Sequence, residues 1–205
     1  MLVLFLGRIP LKQIGLLVGI GLLVLGGTFT YVMKSDVQFG RIATMKSRIE
    51  AFSSGSDDGG TYQSRQAKIA VARGGFIGTG PGRSRQKNIL PSPFADFIYA
   101  IIIEEYGSIF GGLTLVLLYL LLLYRSFRIV LLTENPLAAL LAIGLSFSLV
   151  VQALINMGVA VNLLPITGLA LPIVSRGGTS ILFVSIAFGI ILSASRTIYP
   201  DREHE

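Results

Sequence analysis

The chain has 205 residues, of which 52% are hydrophobic and only 14% charged, and its mean hydropathy is +0.73. A soluble domain carries about 25% charged residues, so a water-soluble globule is excluded and an integral membrane protein is expected. The absence of cysteine rules out disulfides, thiolate nucleophiles and Cys-based metal sites, and the only histidine, His204, sits at the far C-terminus, away from any place for a His base or metal centre.

Four segments are long enough to cross a bilayer, at ~20 apolar residues per helix. The first covers about 13–33 and carries no charge. Its apolar stretch outlasts the ~7–15-residue core of a signal peptide and no small-residue cleavage site follows, so it reads as a retained span. The second covers about 97–124 and is apolar except for Glu104 and Glu105. Residues 135–175 form one uncharged stretch, too long for a single span and interrupted by Asn156, Asn162, Pro165 and Pro172. It reads as a third span over about 137–159, followed by an irregular, re-entrant-like loop. The fourth span is about 177–195. The predicted fold class is therefore all-α: a polytopic helical bundle with a large extramembrane loop, 34–96.

Four crossings place both ends on one side. Arg8, Lys12, Arg125, Arg128, Arg196 and Arg202 fall there, against Arg176 alone in the short opposite loop. The positive-inside rule makes the termini cytoplasmic and the 34–96 loop extracytoplasmic; its ten Lys and Arg do not conflict, because loops of about 60 residues escape the rule.

Within that loop, 41–52 has an amphipathic helical pattern suited to the membrane interface. A Ser/Gly/Asp linker, 53–60, follows, and then a second amphipathic stretch from Tyr62 to Arg73. Next comes a glycine cluster, Gly74-Gly75-Phe76-Ile77-Gly78-Thr79-Gly80-Pro81-Gly82, leading into Arg83, Arg85 and Lys87. It lacks the Gly-Lys-Ser/Thr ending and preceding strand of a nucleotide-binding loop. Two readings stay open: a turn-rich loop, or a backbone nest whose basic side chains hold a pyrophosphate.

Asp96 lies where this basic loop meets the second span. A carboxylate is costly to desolvate there. It serves either as a helix N-cap after Pro91 and Pro93 or as an acid/base group facing a phosphate-binding loop. If the helix starts near Asp96, Glu104 lies about 80° around from it and is the better placed of the two glutamates for a shared cavity. The alternative is that both glutamates pair with neighbouring Lys or Arg. Gln152 and Asn156, at i and i+4, share one helical face, and interhelical hydrogen bonding accounts for them.

Three blocks together resemble the SEDS family (shape, elongation, division and sporulation; FtsW/RodA/SpoVE). They are Gly74–Gly80 through Arg85-Gln86-Lys87; Leu90-Pro91 with Asp96–Ala100 and Glu104-Glu105-Tyr106-Gly107; and Gln152–Gly158 with Leu163–Pro172 and Ser175–Ser180. The Gln-Ala-Leu-Ile-Asn form is closer to the division branch. The resemblance implies a peptidoglycan glycosyltransferase of the bacterial cytoplasmic (inner) membrane, polymerising lipid II at its outer face during cell division. Asp96 would be the catalytic general base. Arg83, Arg85, Lys87, Glu104, Gln152, Asn156, Ser175 and Arg176 would be the substrate-binding set.

The expected partners are a class B penicillin-binding protein and the division machinery, with no nucleic acid. No cofactor is required and no metal ligand set is evident, although a divalent cation beside the pyrophosphate is compatible. A lipid II flippase and a non-catalytic scaffold for a transpeptidase are the competing readings. Departures from the family pattern are Phe94-Ala95 before the aspartate, Arg176 after Ser175, and Asn88 in place of an acidic residue. Family members have about ten helices of ~20 residues each, so the match covers their C-terminal half. An upstream start, a fragment or a decayed gene is expected, and four helices alone are expected to be inactive.

Overall fold

The computed structural model describes residues 11–34, 60–89 and 96–196, and every regular element in them is helical. The chain divides into two units, Met1–Asp58 and Gly59–Glu205. The expected interfacial helix at 41–52 lies outside the described residues, as do Pro91, Pro93, Phe94 and Ala95.

In the first unit, helix α1 spans Leu11–Lys34 and contains the whole of the expected first crossing. Its continuous apolar part is Val18–Thr28. Thr28 and Thr30 turn their hydroxyls back onto the Val24 and Gly26 carbonyls at 2.8 and 2.9 Å, which gives each hydroxyl an acceptor in its own helix.

The second unit begins with α2, Gly60–Gly74, the amphipathic stretch foreseen from sequence. Its buried face is made of small residues, Ala67 and Ala70, so its backbone lies close against the next helix, α3, Ile98–Gly107. The expected second span is not one uniform helix. α3 stops at Gly107, a π-helical segment follows at Ser108–Leu113, and α4 runs from Thr114 to Leu132. The apolar stretch is thus continuous from Ile98 to Leu132 and carries Arg125 and Arg128 beyond the expected end at 124.

The break has a local cause. Gly107 adopts φ +83°, which only glycine takes readily, and a Cβ there would lie 2.3 Å from the Phe76 carbonyl oxygen. Gly78, at φ +89°, faces it; its Cβ would lie 2.4 Å from the Glu105 oxygen. The two glycines let the 75–80 chain run directly against the end of α3. The backbone accounting then closes: Thr79 and Gly80 N–H donate to the Glu104 and Glu105 carbonyls at 2.9 Å, and Ser108 N–H donates to Gly75 at 2.9 Å.

The third expected span is α5, Pro136–Ala160. It starts at Asn135, whose Oδ1 caps the Leu137 and Ala138 amides, with proline in the first turn where its missing N–H costs nothing. Residues 161–177 are irregular, as expected, and α6 covers Gly178–Arg196. α5 packs against α4 and α6. On α6 the contact face is Val184, Ala187, Ile191 and Ala194, set against Ala138, Ala142 and Leu149 of α5 and Ile129 of α4. Small residues bring the helices close, as membrane helix packing requires. Ser126 and Ser146 bond each other across α4 and α5 while also bonding their own helices. The outward face of α4 is Leu117, Leu118, Leu120, Leu121 and Leu131, all exposed, which suits lipid. Three described helical stretches are long and apolar enough to cross a membrane: Ile98–Leu132, Pro136–Ala160 and Gly178–Arg196.

The crossing of the two glycines yields a graded prediction. Gly78→Ala and Gly107→Ala meet backbone oxygen, whereas Gly75→Ala, at φ +52° with open space around its Cβ position, costs only the left-handed backbone penalty of about 1–2 kcal/mol. Thermal midpoints in detergent should fall clearly further for the first two; equal shifts for all three would contradict the close approach.

Candidate functional site

The loop from Gly80 to Lys87 is organised around one buried carboxylate. Glu104 is 0% exposed. Its Oε2 accepts the Ser84 hydroxyl and the Gln86 N–H at 3.4 Å, while Oε1 accepts the Arg85 N–H at 3.2 Å. Arg73 on α2 approaches Oε1 at 3.8 Å. Glu105 adds a second acceptor, its Oε1 taking the Ser84 N–H at 3.4 Å. A buried charge is tolerated only when hydrogen-bonded and paired; the loop supplies the hydrogen bonds and Arg73 of α2 the pairing cation.

This arrangement answers the question left open for the glycine-rich loop. Successive amides of Ser84, Arg85 and Gln86 do converge on an anion, as in a nest, but the anion is the chain's own carboxylate pair. What the loop offers outward is side chains: Arg83 and Arg85 are exposed, and the half-buried Lys87 donates from Nζ to the Gly82 carbonyl at 2.9 Å. Glu104 is fully buried; the pairing with a neighbouring cation, one of its expected arrangements, is present, and it extends to the loop backbone.

A second cluster surrounds Asp96. The N-cap of α3 is Phe97, which is buried and makes no side-chain cap bond, so Asp96 is not the cap that the preceding prolines suggested. Instead its backbone carbonyl accepts from Asn156 Nδ2 at 3.0 Å. The same Nδ2 donates to the Leu169 carbonyl, and Gln152 Nε2 donates to Ala170 at 3.0 Å. One face of α5 therefore ties Asp96 to the irregular segment. That segment is held elsewhere by the Tyr119 hydroxyl on Pro172 O and by Ser64 on Asn162. Ser175 is buried and closes a small ring with Leu171: its hydroxyl accepts the Leu171 N–H at 2.8 Å and its own N–H donates back at 2.9 Å. Gly168, at φ +71°, brings its turn to the Asp96 carboxylate; a Cβ there would lie 4.0 Å from Asp96 Oδ2. Among the described residues, nothing donates a hydrogen bond to that carboxylate, which is half-exposed.

The expected site residues thus fall into two groups joined by α3. Asp96, Gln152, Asn156 and Ser175 converge on 168–175. Arg83, Arg85 and Lys87 gather on the loop that Glu104 anchors, about 12 Å along the helix from Asp96 at ~1.5 Å per residue. Arg176 is exposed at the end of the irregular segment. Four contributors had no sequence signal beyond their polarity: Ser84, Arg73, Thr79, whose hydroxyl bonds Glu104 O at 2.9 Å, and Tyr119. Each acts on a residue 20 or more positions away, which periodicity does not register. Among the described residues, no group of three or more His, Asp or Glu could hold a metal ion.

Replacing Glu104 by Ala leaves the buried Ser84 hydroxyl and two amides without an acceptor, at about 1–3 kcal/mol for each group left unsatisfied. Trypsin should then cut at Arg83, Arg85 and Lys87 faster than in wild type, with Glu104→Gln intermediate; unchanged cleavage would show the loop is held otherwise. Asn156→Asp should be worse than Asn156→Ala, because it turns a donor into an acceptor facing two carbonyls. Thermal midpoints of the two variants decide this, and an Asp variant as stable as wild type would refute the clamp.

Residues 1–199 match the family FTSW_RODA_SPOVE, described as "Cell cycle protein". The chain is 37% identical over 178 residues to "Stage V sporulation protein E" of Bacillus subtilis, covering 86% of this chain and 47% of that protein. It is 36% identical over 179 residues to "Probable peptidoglycan glycosyltransferase FtsW" of Geobacter metallireducens, covering 86% and 46%. A solved structure described as "Structural coordination of polymerization and crosslinking by a peptidoglycan synthase complex" superposes with a TM-score of 0.71 at 26% identity, over 97% of this chain and 53% of that one. The chain spans about half the length of the curated relatives it matches. With the match over residues 1–199 and relatives 37% and 36% identical over 86% of its length, the chain belongs to the FtsW/RodA/SpoVE family.

Proposed function

We propose that the protein is a peptidoglycan glycosyltransferase of the inner membrane, polymerising lipid II at the outer face during division, with Asp96 as general base. The observation that carries this reading is the state of the Asp96 carboxylate. It caps no helix, receives no hydrogen bond among the described residues and stands beside the Gly168 turn, while its own backbone is held by Asn156. A carboxylate held in place but not spent on structure is what proton transfer needs. In the proposed step Asp96 takes the proton from the acceptor sugar hydroxyl as that oxygen attacks the anomeric carbon of the donor. The bond from that carbon to the lipid pyrophosphate breaks, and the pyrophosphate leaves with its electron pair.

Arg83 and Arg85 are the exposed cations nearest in sequence to Asp96 on the anchored loop, and they would meet the leaving pyrophosphate by charge-assisted hydrogen bonds. A divalent cation, where used, would be shared between pyrophosphate and Asp96 rather than held in a protein cage. Gln152, Asn156 and Ser175 support the site from behind: their polar groups are engaged with backbone, so they shape the pocket wall rather than grip substrate. The partner proposed is a class B penicillin-binding protein, as a neighbour structure is described as coordinating polymerization and crosslinking. Both termini of this chain are proposed to be cytoplasmic, with Arg125, Arg128 and Arg196 on that side.

The flippase reading rested on Glu104, Glu105 and the Gln152/Asn156 face as polar groups along a membrane pathway. The hydrogen bonds of the two glutamates to the loop and of Gln152 and Asn156 to backbone carbonyls speak for anchors instead. The deciding experiment is glycan polymerisation from lipid II by native-locus membranes, wild type against Asp96→Asn, with other polymerases inhibited and with or without a chelator. A drop of roughly 10²–10⁴-fold at normal protein level is expected for loss of a general base. Undiminished polymer from the variant would move the assignment to a scaffold or transporter.

A further inference from the structure

The turn Gly75–Gly78 carries two large apolar side chains that the fold does not bury. Phe76 is 75% exposed and Ile77 78%, the most exposed large apolar side chains of the loop, where Ile89 follows at 46%. In water such a pair is unfavourable. Its height relative to the helices is set by backbone contacts. Ser108 N–H donates to Gly75 O at 2.9 Å and Ile109 N–H to Phe76 O at 3.4 Å, so the turn lies level with the start of the π-helical segment.

That level can be placed against a bilayer. Glu105 and Arg125 bracket an uncharged run, residues 106–124. At ~1.5 Å per residue the run is roughly 28 Å long. The hydrocarbon core is ~30 Å thick, so Gly107–Ile109, and the turn with them, stand at one edge of it. Asp96 then lies about 15 Å beyond that edge along the helix. The neighbouring residues of the span, Ile109, Phe110 and Leu113, are themselves exposed and apolar, and the turn lies beside them through the Ile109 N–H bond to Phe76 O.

We propose that Phe76 and Ile77 form a membrane anchor: the turn enters the boundary between acyl chains and headgroups of the leaflet on its side. Arg83 and Arg85, on the same anchored loop, would then lie at the level of anionic headgroups, which attract basic side chains. The occupant of this surface is phospholipid. The anchor sets the height of the basic loop above the bilayer, and so the height at which any lipid-linked phosphate is met; the surface itself does not depend on the catalytic assignment.

The chain has no tryptophan, so Phe76→Trp places a reporter in the turn, read as a difference from wild type. The full-length protein is reconstituted in vesicles of phosphatidylethanolamine and phosphatidylglycerol with plain or brominated acyl chains. Insertion predicts blue-shifted emission, loss of most of the intensity with brominated chains, and little quenching by aqueous acrylamide. Strong acrylamide quenching without a bromine effect overturns the anchor. Insensitivity to both overturns it too, because another protein surface then covers the turn. Ile77→Trp repeats the measurement, and since neither side chain packs in the core, neither substitution removes a folding contact. No turnover is needed, so this result is separable from that of the polymerisation assay.

Discussion

A fully buried carboxylate within an apolar helix is the constraint around which the second unit is arranged. Glu104, fully buried, needs hydrogen-bond donors in that position, and the donors nearest to hand are the amides and hydroxyl of the basic loop. Satisfying it draws Ser84, Arg85 and Gln86 against α3 and brings α2 alongside through Arg73. The cationic side chains of the loop are thereby held beside the helix that starts at Asp96. Burial of one acidic group converts a flexible, glycine-rich sequence into a defined surface. The glycines permit that approach: at Gly78 and Gly107 the backbones lie closer than any Cβ allows.

The irregular segment 161–177 poses the complementary problem. Between two apolar helices its peptide groups cannot all rely on water, so they need partners from the protein. Asn156, Gln152, Tyr119 and Ser175 provide them, three from flanking helices and one from the segment itself. Polar residues that look expensive inside a span thus act as backbone acceptors' partners, and Asn156 couples this task to Asp96 by donating to both strands of chain at once. Its Oδ1, buried and without a partner among the described residues, bears the cost of that geometry.

Asp96 stands between these two arrangements, with its backbone tied to one and its helix leading to the other. The functional reading follows from this position rather than from the residue type. Among the described residues the structural bonds around Asp96 are made by its backbone and its neighbours, and the proposed role of its carboxylate rests on that. The chain spans about half the length of the curated relatives it matches.

The helical, membrane-spanning character of the chain was legible from apolar run length and charge placement, because the bilayer imposes one dimension on every span. α2, the third and fourth spans and the irregular stretch after Ala160 follow from periodicity and from Pro165 and Pro172, which are local signals. The break at Gly107 was not legible: Tyr106–Gly107–Ser108 reads as ordinary apolar helix, and only the approach of Gly78 from another segment makes the positive φ necessary. The same holds for the two carboxylates. Sequence placed Asp96 at the membrane boundary as cap or acid/base group and Glu104 inside the second span as a cavity or pairing group, since a side chain's local context is compatible with either role. Which donors reach each carboxylate depends on contacts between residues far apart in the chain, and that is decided only when α2, the loop and α5 close around α3.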